Sequence, residues 1–119
     1  ILLHCRELED ITPLKNMALR ILDLNNTKVR SIEPLRGMPL DFLSLSANRF
    51  SDLSPLKGMP LTILYLNGAL ITDLSALDGM ALTRLHLPPK EQKLTPNSSA
   101  IIDRLKKQGC KILWQEKKK

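Results

Sequence analysis

Leu61-Thr62-Ile63-Leu64-Tyr65-Leu66-Asn67-Gly68-Ala69-Leu70-Ile71-Thr72-Asp73-Leu74-Ser75-Ala76-Leu77-Asp78-Gly79-Met80 is one copy of a unit that recurs through most of this chain. The period is 21 residues, without insertion: Leu19, Leu40, Leu61 and Leu82 fall in register, as do Leu22, Leu43, Leu64 and Leu85, and then Leu24, Leu45, Leu66 and Leu87. The second half keeps step, with columns Val29, Phe50, Ile71; Ile32, Leu53, Leu74; Leu35, Leu56, Leu77; and Met38, Met59, Met80. Projected backwards, the frame takes in Ile1, Leu3, Leu8, Ile11, Leu14 and Met17, so the chain enters at the fourth position of a repeat. That entry point predicts a piece of a longer protein. Self-similarity at such a period is the signature of a stacked, quasi-one-dimensional architecture.

Two backbone types are expected in each copy. Leu64-x-Leu66 alternates, as a short strand with one buried face does. Ile71-x-x-Leu74-x-x-Leu77-x-x-Met80 recurs every third residue, which fits a 3₁₀-like or irregular return better than an α-helix. Pro34, Pro55, Gly37, Gly58 and Gly79 each discourage a long helix at the same place. A single coil has too few apolar side chains to offset the ordering of its backbone, so stability must come from burying coil against coil.

The pattern Leu61-x-x-Leu64-x-Leu66 followed by Ile71-x-Asp73-Leu74-x-x-Leu77-x-x-Met80 resembles the leucine-rich repeat, in its bacterial, internalin-like class with a return of the form Asp-Leu-Ser-Pro-Leu. The resemblance covers residues 1–87 and implies an α/β solenoid with parallel strands on its concave face and irregular returns on its convex face. The Asn that usually follows the strand in that family occurs only as Asn48, where other copies have Arg6, Thr27 and Ala69. Three turns must therefore satisfy their backbone groups in another way. The Gly-Met-Pro-Leu joint is similar to repeat regions of large bacterial proteins, some of them kinases.

The frame breaks after Leu87. Residues 88–119 are expected to form a C-terminal cap with a basic tail. Thr95-Pro96 reads as a helix start, with Thr95 as N-cap and Pro96 at the first helical position. Ala100, Ile101, Ile102 and Leu105 supply an apolar face, Asp103 and Lys107 stand four residues apart as a possible pair, and Gly109 is the C-cap. The spacing predicts a helix over 96–108 and a last strand over 110–114 that pairs with the strand of the Leu82 repeat.

At 119 residues the chain has the size of one domain, and its 43% hydrophobic and 25% charged content is ordinary for a globular protein. The net charge of +6 is local: residues 1–87 hold nine Lys/Arg and nine Asp/Glu, whereas residues 88–119 hold nine and three. Nucleic-acid binders more often spread basic residues over a face of the body. The basic end is therefore read first as a solvated tail, with binding of nucleic acid or an anionic membrane through Lys106, Lys107, Lys111 and Lys117–Lys119 as the alternative. Cys5 and Cys110 lie about five strand spacings apart in such a stack, roughly 24 Å at ~4.8 Å each. A disulfide tolerates Cα separations up to only ~6.8 Å, so two free thiols are expected, which leans toward a reducing, cytoplasmic setting. No stretch has the length of a membrane span.

No catalytic constellation is legible. His4 and His86 are the only histidines, no metal-ligand spacing occurs, and there is no Gly-rich phosphate loop. The expectation is a non-enzymatic chain with no cofactor, metal or small-molecule substrate. Asn25-Asn26-Thr27 and Asn97-Ser98-Ser99 match the glycosylation pattern but read as turn and cap residues.

What remains is the outward face of the strands. One column is Ile21, Phe42, Ile63 and Arg84; the next is Leu2, Asp23, Ser44, Tyr65 and His86; a third is His4, Asn25, Ser46 and Asn67. β-Branched and aromatic residues suit strands in any protein. The functional reading is that Ile21, Asp23, Phe42, Ser44, Ile63, Tyr65, Arg84 and His86 form a partner-binding surface on the concave face, anchored by Phe42 and Tyr65. Two further expectations are a repeat tail of a larger enzyme, such as a bacterial signalling kinase, and self-association through an uncapped first coil.

Overall fold

A computed structural model describes residues 9–25, 28–29, 31–46, 52–67, 73–88 and 94–115. The alternating leucines form short strands: β1 (Ile21–Asp23), β2 (Phe42–Ser44), β3 (Ile63–Tyr65) and β4 (Arg84–Leu87). Leu22, Leu43, Leu64 and Leu85 point inward and are fully buried. Each strand pairs in parallel with the next at the 21-residue offset of the sequence, so that Ile21, Phe42, Ile63 and Arg84 are successive partners. A fifth strand, β5 (Lys111–Trp114), continues the sheet beside β4, in the order β1-β2-β3-β4-β5. Its start lies one residue beyond the expected Cys110.

The return half of each coil contains a 3₁₀ turn, at Thr12–Leu14, Glu33–Leu35, Ser54–Leu56 and Ser75–Leu77. The same side-chain device opens each turn. Asp10, Asp52 and Asp73 accept the backbone N–H two residues ahead at 2.9 Å, and Ser31 does so through its hydroxyl at 3.2 Å. These are the local side-chain-to-backbone bonds that favour turns over longer helix. Each return closes at a left-handed residue: Gly37, Gly58 and Gly79 have φ of 79°, 77° and 82°, and Asn16 holds the same column at 70°. Only Gly and, less readily, Asn occupy that region without strain.

Between strands and returns lies one continuous apolar core. The columns Ile11, Ile32, Leu53, Leu74 and Leu14, Leu35, Leu56, Leu77 are buried throughout, as are Met38, Met59 and Met80. Met17 departs from its column, being 44% exposed. Phe50, Ile71, the turn residues Arg6, Thr27, Asn48 and Ala69, and Leu2, His4 and Cys5 lie outside the described residues.

The last coil is covered by α1 (Pro96–Lys107), whose Ile101, Ile102 and Leu105 join the core. Thr95 occupies the N-cap position with extended backbone, but its hydroxyl bonds no backbone N–H. It is 2.8 Å from the hydroxyl of Ser98, and the fully buried Ser98 Oγ in turn accepts the Leu74 N–H at 2.8 Å. The cap residue is thus recruited into docking the helix on the fourth return. Docking also explains the ion pairing: among the described residues Asp103 and Lys107 form no pair, while Arg104 reaches Asp78 at 3.1 Å. The Gln108 side chain donates to the Met80 carbonyl at 2.7 Å, and Gly109, at φ 98°, turns the chain into β5. Cys110 is a free, buried thiol, and burial pushes its pKa up.

Candidate functional site: the outward strand face

Side chains that alternate with the buried leucines leave the sheet on its other face. Parallel pairing at a constant offset lines them up in rows across the strands. One row runs Ile21, Phe42, Ile63, Arg84, Lys111 and the next runs Asp23, Ser44, Tyr65, His86, Leu113. Ile21 is 55% and Leu113 37% exposed, Arg84 and Lys111 are exposed, and Phe42, Ile63, Tyr65 and His86 are part-buried.

The aromatic members interlock. Phe42 meets Tyr65 edge-on, with ring centroids 5.3 Å apart and planes at 77°, and Tyr65 lies 4.1 Å from the His86 ring at a tilt of 36°. An edge-to-face contact and a tilted stack of this kind hold rings in fixed orientations. The result is a pre-ordered row of three rings crossing β2, β3 and β4. His86 is held below the usual histidine pKa, first by burial and then by the charges of Arg84 and Lys111. Its Nε2 is buried and has no hydrogen-bond partner among the described residues.

The structure corrects the expectation for Ser44. It lies in the outward row but is only 1% exposed, and its hydroxyl donates to Asn25 Oδ1 at 2.5 Å. The same Asn25 oxygen accepts the Ser46 N–H at 2.9 Å, and Asp23 accepts the Asn25 N–H at 3.0 Å. A small side chain between larger row neighbours sinks beneath them, and here its hydroxyl is spent on the turn. Asn25 thus takes up polar groups of the following coil. Asp23 is part-buried at the rim of the same arrangement.

Lys111 and Leu113 complete the face and stand outside the eight residues anticipated for it. Lys111 lies 27 positions beyond its partner Arg84, whereas all earlier partners are 21 apart. The alternation of Lys111 and Leu113 with Ile112 and Trp114 is visible in the sequence; their register is not, because the cap helix interrupts the period.

Elsewhere, a hollow of about 880 Å³ lies on the return side, lined by Glu9, Asp10, Lys15, Glu33 and Arg36 among others. The Arg36 guanidinium is paired with Glu33 at 2.7 Å and holds its carboxyl below the usual range. Among the described residues there is no cluster of three His, Cys, Asp or Glu able to hold a metal, and no helix long and apolar enough to cross a membrane.

No protein-family model matches this sequence, and no curated protein does. Its fold does have counterparts among solved structures. An internalin, inlF, of Listeria monocytogenes str. 4b F2365 superposes with a TM-score of 0.71 at 23% identity, over 92% of this chain and 34% of its own. Internalin C2, inlC2, of the same strain gives 0.67 at 22% identity, over 92% of this chain and 60% of its own. The chain thus has the leucine-rich-repeat solenoid fold seen in these bacterial proteins, and spans less than two thirds of either.

Proposed function

We propose that the chain is a protein-interaction module that binds a partner protein through the outward, concave strand face, without catalysis, as part of a larger protein. The observation that carries this reading is the ring row Phe42, Tyr65 and His86, flanked by Ile21, Ile63 and Leu113 on a face the core does not need. Contiguous apolar groups left toward solvent mark contact surfaces, and rigid aromatic side chains supply contact area at small entropic cost. The leucines that form the strands are scaffold; the residues between them are the site.

The test begins with peptides selected from a random library on the intact chain. Their affinity is then compared between the wild type and a Phe42→Asp, Tyr65→Asp double variant, with the urea unfolding midpoint of each measured as a control. Loss of binding by about tenfold or more is expected, since central aromatic anchors typically contribute ~2 kcal/mol or more each. Unchanged affinity in a variant with an unchanged midpoint assigns the contact to another face.

A further inference from the structure

Arg84 and Lys111 face each other in register across β4 and β5. Both are exposed, and among the described residues neither has an acidic partner. Like charges directly opposite on neighbouring strands are destabilising. The acidic residue on the same rows, Asp23, stands on β1, three strand spacings from Arg84, or roughly 14 Å at ~4.8 Å each. The face is therefore polarised: apolar rings over β2 and β3, and two unneutralised cations over β4 and β5.

Resting on the reading of this face as a protein contact, we propose that its partner is an acidic segment, one that seats an aromatic or aliphatic side chain against Phe42, Ile63 and Tyr65 and a carboxylate between Arg84 and Lys111. The spacing defines the segment further. From β3 to the midpoint of β4 and β5 is one and a half strand spacings, about 7 Å. Side chains two apart in an extended strand, ~6.6–6.8 Å, or four apart on a helix, ~6 Å, cover that distance. A carboxylate there relieves the repulsion between the two cations and gains hydrogen bonds to the guanidinium.

The local environment supports the same polarity. His86, beside Tyr65 and two residues along β4 from Arg84, is held toward its neutral form by burial and by these two charges. It thus extends the ring row without competing for the cations' counter-charge at neutral pH. A nucleic acid offers phosphates to the cations but meets rings that are already packed edge-on against one another, and a peptide side chain fits that apolar surface better.

The experiment uses the same random-library peptides, selected on the full 119-residue chain. Enrichment of Asp or Glu two or four positions from an aromatic or aliphatic residue is expected. The selected peptides should bind the Arg84→Glu, Lys111→Glu variant about tenfold more weakly, and selection on that variant should instead enrich Lys and Arg. A second arm needs no variant: on the wild type, affinity should fall by severalfold between low and high salt.

Absence of acidic enrichment on the wild type, or the same enrichment after charge reversal, overturns the inference, as does an oligothymidylate that displaces the peptides. If peptides without acidic bias still lose binding in the Phe42→Asp, Tyr65→Asp variant, the inference fails while the binding face stands. If acidic peptides ignore Phe42 and Tyr65, the reading of the face fails, and with it the proposal. A selection that yields no binder overturns both.

Discussion

His86 shows how position, rather than residue type, sets the chemistry of this face. Its ring is stacked on Tyr65 and its Nε2 is buried, while Arg84 and Lys111 oppose a further positive charge. Its folded pKa is therefore below the ordinary value of 6.5. Between the folded and unfolded values the unfolded chain binds more protons, so stability rises with pH in that window. Its contribution is complete above pH 6.5 and is lost as pH falls from there through the folded value. The urea midpoint of the wild type should thus drop between pH 7.5 and pH 5.5, and His86→Gln should flatten that slope. Equal slopes in the two proteins would show that His86 titrates as an exposed histidine does. Of the face residues, Ile21, Phe42, Ile63, Tyr65, Arg84 and His86 were placed on it by alternation alone. Burial of Ser44 was not legible, because it depends on Asn25 in the preceding coil and on the size of its row neighbours.

Among the elements, α1 docks on the fourth return through a fully buried polar contact as well as through its apolar face. Ser98 is fully buried and accepts the Leu74 N–H, an amide on the fourth return that would otherwise be unsatisfied. Ser98→Ala should cost ~1–3 kcal/mol, the range for orphaning a buried polar group, read as a lower urea midpoint. Arg104→Ala, which removes an exposed ion pair with Asp78, should shift the midpoint less. A Ser98→Ala protein as stable as the wild type would place the cap's docking energy in its other contacts, chiefly Ile101, Ile102 and Leu105. The helix itself is announced by Pro96 and Gly109. The Thr95 hydroxyl departs from its ordinary capping bond and lies against Ser98 Oγ, the same atom that takes the Leu74 N–H, an arrangement with no sequence signal.

Across the whole molecule, the core has no internal boundary: leucines from every described coil and the apolar face of α1 belong to one cluster. Leu64, fully buried at the centre of the stack, makes the consequence measurable. Leu64→Ala should cost ~2–5 kcal/mol, a large share of the ~5–15 kcal/mol typical of a domain. Trp114, the chain's single tryptophan, reports from β5 at the far end of the sheet. If the stack unfolds as one unit, its fluorescence midpoint in urea should fall as far as the circular dichroism midpoint does. A tryptophan transition that stays in place would show the cap unfolding independently of the coils.

The sequence by itself determined the coil. A 21-residue period with alternating and then three-spaced apolar residues admits one way of burying them, strand then return, and its constancy sets the register from β1 to β4. What only the tertiary structure decided is whatever depends on contacts across coils or beyond the last repeat: the burial of Ser44, the packing of the ring row, and the placing of Lys111 beside Arg84 and Leu113 beside His86. The physical reason is that periodicity reports which way a side chain points, whereas a binding surface depends on which side chains end up next to one another.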